Sequence, residues 1–394
     1  MPVKSIKDLD IKGKRVFFRF DFNVPLDSAG IVKDSTRITR ALPTLNYAIS
    51  QGAKCILSSH LGRPKGERKP EMSLRPVAAK LEELIGKKVR FVDDCVGEAV
   101  EKAVASMVDG DILFLENLRF HAEETKNDPV FSRQLASLAD VYVNDAFGTA
   151  HRAHCSTVGV PGLVSEKAAG LLMKEELDNL EKALSNPAKP VLAIFGGAKV
   201  SDKIEVLKNI VRRMDSILIG GGMANTFLVA KGFNLGASRV ETDMVETAGE
   251  IMAAAKQNGG QVCLPVDVVA SPTIEDEASA QIYEVKNLPV DRMALDIGPL
   301  TVKEFENEIS KAGTIVWNGP MGVFESEAFK KGTMEIARAV ANASAFSVVG
   351  GGDSVRAVKQ AGVTDRISYI STGGGAFMEF MEGKTLPGVA ALEV

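Results

Sequence analysis

The sequence predicts an α/β protein of two doubly wound (Rossmann-like) parallel-sheet domains, joined by a long helix and a hinge. Three observations favour this fold. The chain has 394 residues, which is enough for about two domains at ~100–200 residues each. Short apolar runs rich in β-branched residues alternate along it with amphipathic stretches. These runs are continuous rather than alternating, which is typical of parallel strands that helices cover on both faces.

The candidate elements succeed one another regularly along the chain. In the first half the candidate strands span residues 16–20, 54–58, 111–115 and 141–144, and the candidate helices span residues 74–85, 97–107 and 131–139. In the second half, further helices separate candidate strands at residues 191–195, 217–219, 261–265, 315–317, 347–349 and 369–370. Strands that alternate with helices in this way predict a parallel sheet in each half.

The domain boundary is marked by residues 165–184 (SEKAAGLLMKEELDNLEKAL), which predict one long, charge-rich helix. Ser185, Asn186 and Pro187 then stop it, because proline and the residue before it disfavour a helix. We expect an N-terminal domain over residues 1–170, an interdomain helix over 171–187 and a C-terminal domain over 188–379. The helix is either a plain packing helix or the rigid connector of a hinge.

Composition limits the classes of function. Hydrophobic residues make up 45% and charged residues 25% of the chain, which excludes disorder for most of it. Lys and Arg number 47 against 51 Asp and Glu, a net charge of −4, so a nucleic-acid-binding role has no support. No stretch reaches the ~18 apolar residues of a membrane span, and the first residues lack the apolar core of a signal peptide.

The cysteines indicate the compartment. Cys55, Cys95, Cys155 and Cys263 are scattered and form no CxxC pair. This pattern favours reduced thiols in a cytoplasmic protein over a metal site or a redox pair. Because no exposed apolar stripe stands out, we expect a monomer.

Polar and basic side chains come directly after the candidate strands of the first half. In open α/β sheets, ligands bind beyond the carboxyl ends of the strands. If these strands share one sheet, four basic side chains converge there: His60, Arg63, Arg119 and Arg152. Arginine suits planar, bidentate contact with carboxylate or phosphate, so a small, multiply anionic ligand is expected. One such arginine is more often a surface cation, but three arginines and a histidine at equivalent strand ends favour a site. The histidine spacing is a weak metal signal.

Glycines come directly after the candidate strands of the second half. Among the 36 glycines, runs begin at Gly196, Gly220, Gly350 and Gly373. Glycine between a strand and a helix lets the backbone approach a phosphate and leaves the N–H groups of the helix start facing it. One such run is weak evidence, whereas four predict a polyphosphate or nucleotide site.

Three charged residues extend this second site. Lys199 and Lys203 lie four apart, and we expect them on one face at the start of a helix, where they could contact phosphates. A solvated helical face is the alternative for this pair. Asp353 directly succeeds a glycine run and is a candidate carboxylate for Mg²⁺.

The spacings argue against three common enzyme classes. No G-x-x-x-x-G-K-[ST] occurs, as a P-loop NTPase requires. No G-x-G-x-x-G occurs, which disfavours a nicotinamide-dependent dehydrogenase, and no G-x-S-x-G occurs, which disfavours an α/β-hydrolase. A basic anion site on one domain and a nucleotide site on the other favour phosphoryl transfer, which depends on alignment and charge stabilisation. Two alternatives remain, namely a non-catalytic two-lobed anion-binding protein and a nicotinamide-dependent dehydrogenase.

Eight motifs carry a resemblance to a known family. They are residues 19–25 (RFDFNVP), 59–64 (SHLGRP), 115–120 (LENLRF), 144–154 (NDAFGTAHRAH), 196–203 (GGAKVSDK), 317–325 (WNGPMGVFE), 350–354 (GGGDS) and 371–376 (STGGGA). In these motifs the chain resembles the phosphoglycerate kinases, of bacterial type, over essentially its whole length. The resemblance implies transfer of the acyl phosphate of 1,3-bisphosphoglycerate to ADP, giving 3-phosphoglycerate and ATP, by hinge closure and without a covalent intermediate.

The resemblance also implies roles in the first domain. Asp21 and Asn23 would hold the hydroxyl and carboxyl end of the glycerate. The non-transferred phosphate would be bound by His60, Arg63, Arg119 and Arg152. Arg37, which the sequence alone suggests is a surface arginine, would stabilise the charge on the transferred phosphoryl group, and Lys199 would assist it. The C-terminal segment, residues 380–394, would pack back on the first domain.

In the second domain the resemblance implies a nucleotide and a metal site. Lys203 would bind nucleotide phosphates, Glu325 the ribose hydroxyls, and Asp353 the Mg²⁺ ion. Backbone N–H groups would complete the phosphate site at Gly351, Gly352, Asp353, Ser354, Gly373, Gly374 and Gly375.

Overall fold

The computed structural model describes residues 3–393 and divides into two compact units. The first comprises residues 3–177 and 385–393, and the second comprises residues 178–384. The chain therefore passes between the units twice. Within the described residues, we find no helix with the length and apolar character that crossing a membrane requires.

The first unit is built on a six-stranded sheet in which every neighbouring pair of strands is parallel. Its strands are β1 (Arg15–Arg19), β2 (Lys54–Ser58), β3 (Arg90–Val92), β4 (Ile112–Leu115), β5 (Val141–Asn144) and β6 (Glu166–Ala169), in the spatial order β3-β4-β2-β1-β5-β6. Its helices are α1 (Thr36–Ser50), α2 (Arg75–Ile85), α3 (Glu98–Ala105), α4 (Ala122–Lys126) and α5 (Pro129–Ala136). Helix α6 (Leu171–Leu184) begins in this unit and ends in the second.

The second unit repeats this plan and adds a small sheet. Its six parallel strands are β7 (Val191–Phe195), β8 (Ser216–Ile219), β9 (Gln261–Cys263), β13 (Thr314–Asn318), β14 (Phe346–Val349) and β15 (Tyr369–Ile370), in the order β15-β14-β13-β7-β8-β9. An antiparallel sheet has the order β11-β10-β12 and consists of β10 (Asp267–Ser271), β11 (Gln281–Glu284) and β12 (Met293–Ile297). The helices are α7 (Ile204–Ile210), α8 (Gly222–Ala230), α9 (Val245–Gln257), α10 (Pro299–Lys311), α11 (Lys331–Asn342), α12 (Gly352–Gln360) and α13 (Gly375–Met381).

The last helix, α14 (Pro387–Ala390), belongs to the first unit. The N–H of Gly388 donates to the carbonyl of Ala150 at 2.8 Å, and Glu393 forms a bridge with Val3. These contacts attach the C-terminal segment to the first unit.

The α/β class with two parallel sheets is confirmed, but one predicted helix is wrong. Residues 166–169 do not start the long helix; they form β6, which pairs with β5. Gly170 separates the strand from α6, and a Cβ there would lie 2.2 Å from Oδ1 of Asp145. The sequence pattern predicts a helix here because Ala168 and Ala169 are small apolar residues, which fit a helix as well as they fit this buried strand.

The antiparallel sheet was not predicted at all. For β11 the reason is local, because its sequence (QIYE) has no continuous apolar run and most of its residues are exposed, with 58% of the surface of Ile282 accessible. A strand that buries neither face lacks the pattern by which strands are recognised. Strand β9 is shorter than predicted and ends at Cys263.

Candidate functional site

The first unit gathers polar side chains just beyond the carboxyl ends of β1, β2, β4 and β5. Gly62 links two of them, because its N–H donates to Oδ1 of Asn23 and its carbonyl accepts from Nη1 of Arg119, each at 2.9 Å. Nη1 of Arg37, in the first turn of α1, lies 2.6 Å from Oδ2 of Asp21. We call this group the basic basin; its members are Asp21, Asn23, Arg37, His60, Arg119 and Arg152.

Electrostatics place the remaining members in the same group. Burial, together with the nearby charges of Arg19 and Arg152, lowers the pKa of Arg119 to about 10. Nε of Arg119 is buried and has no hydrogen-bond partner among the described residues. Arg63 directly succeeds Gly62, and its side chain is exposed. Cationic groups that lower one another's pKa are stabilised by an anion, so the basin is suited to an anionic ligand.

A chain of hydrogen bonds between buried side chains lies next to the basic basin. Arg19, the last residue of β1, is fully buried, and its Nε donates to Oγ of Ser156 at 2.9 Å. Oγ of Ser156 donates in turn to Oε1 of the fully buried Glu124 at 2.6 Å. Nη2 of Arg19 lies 3.1 Å from Nδ1 of His60. No sequence pattern pointed to Glu124 or Ser156, because no spacing shows which polar residue a fold will bury.

This contact sets the tautomer of His60. Arginine has no acceptor, so Nδ1 of His60 accepts the hydrogen bond and the ring proton resides on Nε2. Burial lowers the pKa of His60 well below its ordinary value, and the charges of Arg19, Arg119 and Arg37 act in the same direction. His60 is therefore a neutral side chain that retains one N–H donor.

His154 behaves in the same way. Burial, together with the charges of Arg119, Arg19 and Arg152, lowers its pKa to about 3. Both histidines are thus neutral at pH 7, and the positive charge of the basin comes from its arginines.

The second unit forms its site from glycine-rich loops that precede helices. Gly351 has φ 90° immediately before α12, and Gly374 has φ 49° immediately before α13. Both φ values lie in the region that glycine adopts more readily than other residues. N–H groups without an intrahelical partner therefore start each helix at this edge of the sheet.

Two adjoining cavities occupy this edge. One, of about 440 Å³, is lined by Lys199 and Lys203 together with Gly351, Gly352, Asp353, Ser354, Gly374 and Gly375. The other, of about 470 Å³, has apolar walls at Ile274, Leu295, Val323 and Phe324, with Glu325 and Asp353 at its polar side. Gly197, Ala198, Pro320 and Asp353 line both cavities. Gly373 lines neither, and its N–H donates to Oγ of Ser371.

The two lysines do not share a helical face, so that expectation is wrong. Helix α7 begins at Ile204; Lys203 is its N-cap residue, and Lys199 lies in the preceding loop. Nζ of Lys203 donates to the carbonyls of Gly196 and Asn318 at 2.7 and 2.8 Å. Burial lowers the pKa of Lys203 to about 7, although Asp202 and Asp353 act against this. An anion bound in the cavity would favour the charged ammonium.

One further residue connects Glu325 and Asp353. Nη2 of Arg356 lies 2.5 Å from Oε1 of Glu325 and 3.3 Å from Oδ1 of Asp353, and its guanidinium stacks over the ring of Phe324. No sequence motif singled out Arg356, although it lies only one helical turn after Asp353. The carboxylate of Asp353 is exposed and reaches a cavity that suits phosphate, so this donor fits a hard cation such as Mg²⁺.

The chain is similar in sequence and in fold to known proteins. The family model for phosphoglycerate kinase matches residues 6–384 of this chain. The chain is 57% identical over 400 aligned positions to a phosphoglycerate kinase of Koribacter versatilis, covering 100% of this chain and 99% of the relative. It is 55% identical to a phosphoglycerate kinase of Moorella thermoacetica, and the match covers 100% of this chain and 99% of the relative. The solved phosphoglycerate kinase structure of Coxiella burnetii is similar with a TM-score of 0.92 at 40% identity, covering 99% of both chains.

We predict that His60 and His154 stay neutral in the folded protein at pH 5. The unfolded rings take up a proton near pH ~6.5, while the folded rings do so only at lower pH, about 3 for His154. The two histidines therefore lower the free energy of unfolding as the pH falls from ~6.5 towards 3, and they add no pH dependence above that window. Nitrogen-15 spectra of the imidazoles between pH 8 and 5 measure this, and should show His60 protonated on Nε2. A midpoint near pH 6.5 for either folded ring would contradict the interpretation.

Proposed function

Because the chain belongs to the phosphoglycerate kinase family, and so catalyses the glycolytic transfer of the acyl phosphate of 1,3-bisphosphoglycerate to ADP, we propose which of its residues bind each substrate. The reaction is reversible and yields 3-phosphoglycerate and ATP. One observation carries the proposal: the first unit holds an arginine-rich basin with neutral histidines, while the second holds glycine-lined cavities with an apolar wall. The first suits a small phosphorylated acid and the second a nucleotide.

In the first unit, the basic basin and the adjacent Arg63 bind 3-phosphoglycerate. Asp21 and Asn23 hold the hydroxyl and carboxyl end of the glycerate, and Gly62 keeps Asn23 in place through its N–H. The non-transferred phosphate is bound by His60, Arg63, Arg119 and Arg152. His60 contributes the N–H on Nε2 rather than a charge, and Nε of Arg119, which has no partner within residues 3–393, is a further donor.

In the second unit, the apolar cavity takes the base and the neighbouring cavity takes the phosphates. Glu325, at the polar side of the apolar cavity, binds the ribose hydroxyls. Lys203 and the N–H groups of residues 351–354, 374 and 375 bind the phosphates. Asp353 holds Mg²⁺, which when bound neutralises phosphate charge.

Phosphoryl transfer between these ligands does not depend on a general base. A terminal oxygen of ADP forms the new bond to phosphorus, the bond from phosphorus to the acyl oxygen breaks, and the leaving group is the carboxylate of 3-phosphoglycerate. Because neither oxygen has to lose a proton, catalysis depends on alignment and charge stabilisation. Arg37 and Lys199 stabilise the charge on the transferred group; without substrate, Asp21 holds Arg37. Hinge closure, the monomeric state and the cytoplasmic location stay predictions of the sequence.

We predict that Arg37→Ala lowers kcat on the order of 10³-fold, as removal of other charge-stabilising groups does. Steady-state assays of ATP formation from ADP and 1,3-bisphosphoglycerate, with and without Mg²⁺, measure this. Arg338→Ala is the matched control, because Arg338 pairs with Glu335 on the surface of α11; it should leave kcat unchanged. Near-normal turnover of Arg37→Ala would rule out the role given to Arg37.

We also predict that the two sites lose their ligands separately. Arg63→Ala, Arg119→Ala and Arg152→Ala should each weaken 3-phosphoglycerate binding about tenfold or more, since a hydrogen bond to a charged group contributes roughly 1.5–3 kcal/mol. Their affinity for ADP should change little. Lys203→Met should show the opposite pattern in the same titration calorimetry. If the arginine variants lost ADP instead, the two sites would be assigned to the wrong units.

A further inference from the structure

A cluster of three metal-ligating side chains lies outside both sites. Asp94 and Cys95 come just after the end of β3, and His121 comes after the short turn beyond β4. Strands β3 and β4 are parallel neighbours, so their carboxyl ends bring these segments together. One carboxylate oxygen, the sulfur and one imidazole nitrogen all lie within 4.8 Å of one another.

The contacts within the cluster orient these donors. Nε2 of His121 lies 2.7 Å from Oδ1 of Asp94, and the backbone N–H of Cys95 donates to the same oxygen at 2.7 Å. His121 also stacks on Phe131, which limits rotation of its ring. Cys95 is buried, whereas the side chains of Asp94 and His121 are 41% and 29% exposed, so an ion has a path from solvent.

The charges around the sulfur favour a cation. The carboxylate of Asp94 places negative charge within 4.8 Å of the Cys95 sulfur. Arg68 is a cation that contacts the cluster, and its Nη2 lies 3.5 Å from Oδ2 of Asp94. The other oxygen, Oδ1, is the one that faces His121. A divalent ion bound to one thiolate and one carboxylate would form a neutral unit, which lowers the cost of placing it near a buried residue.

We propose that Asp94, Cys95 and His121 form a binding site for one divalent cation of the zinc class, with water as a fourth ligand on the exposed side. Sulfur, imidazole nitrogen and carboxylate oxygen are the ligands that Zn²⁺ takes in proteins, whereas Mg²⁺ prefers oxygen alone. On binding, the Cys95 thiol releases its proton to solvent as the metal–sulfur bond forms. The hydrogen bond between His121 and Asp94 is exchanged for two bonds to the metal. The site is independent of the substrate roles proposed above.

Cobalt(II) is the probe that tests this site, because it occupies zinc sites and absorbs in the near ultraviolet when a thiolate binds it. The full chain, freed of metal with a chelator, is titrated with Co²⁺ without nucleotide. We expect one equivalent to bind and the thiolate absorption to appear. Cys95→Ser should abolish the absorption and weaken binding at least ~10-fold, and His121→Asn should weaken binding comparably while keeping the absorption.

Two control variants locate the signal. Cys263→Ser removes a half-buried thiol of the second unit, and Asp353→Asn removes the carboxylate proposed for Mg²⁺; both should leave the cobalt absorption unchanged. A wild-type protein that shows no thiolate absorption, or an absorption that survives in Cys95→Ser, would overturn the proposal. The wild-type titration shows by itself whether a thiolate of this chain binds the metal. This part of the test therefore does not depend on whether a variant folds.

Discussion

Neighbouring strands in both six-stranded sheets are parallel, so that all the carboxyl ends of a sheet meet at one edge. Residues far apart in the chain are thereby brought together if each comes directly after a strand. In the first unit Asn23, His60, Arg119 and Arg152 meet in this way, and in the second unit the loops at Gly197, Gly351 and Gly374 do. The two units share this arrangement but carry different residues at their strand ends, which gives each unit a different ligand.

Each site also contains one basic side chain that other polar groups of the same unit hold in place. Arg19 is fully buried beside the basic basin. It donates a hydrogen bond to Ser156, which donates in turn to the buried carboxylate of Glu124. Lys203 is partly buried and lines one of the nucleotide cavities, and its amino group donates to two backbone carbonyls. An unpaired buried charge is costly, so these partners position the cation as well as stabilise it. In the first unit the arrangement also keeps His60 neutral, so that it can donate from Nε2 without adding to the charge.

The sequence predicted the class of fold and the residues that directly succeed strands, because both depend on local patterns. Strands β2, β5 and β7 have the predicted bounds, since each is a continuous apolar run. The helix predicted over residues 165–184 begins late, because nothing local distinguishes Ala168 and Ala169 in a strand from the same residues in a helix. The contacts of Arg356, Glu124 and the Asp94–Cys95–His121 cluster depend on which segments the fold brings together. No spacing in the sequence marks them, and the scattered cysteines in fact favoured plain reduced thiols.

The assignment of one ligand to each unit is tested most directly by amide hydrogen exchange of the full chain with each ligand added alone. With 3-phosphoglycerate, we expect slower exchange in residues 59–63 and 117–121 of the first unit. With ADP and Mg²⁺, we expect slower exchange in residues 196–203 and 350–355 of the second unit. Protection of the second unit's loops by 3-phosphoglycerate, or of the first unit's by the nucleotide, would contradict the assignment.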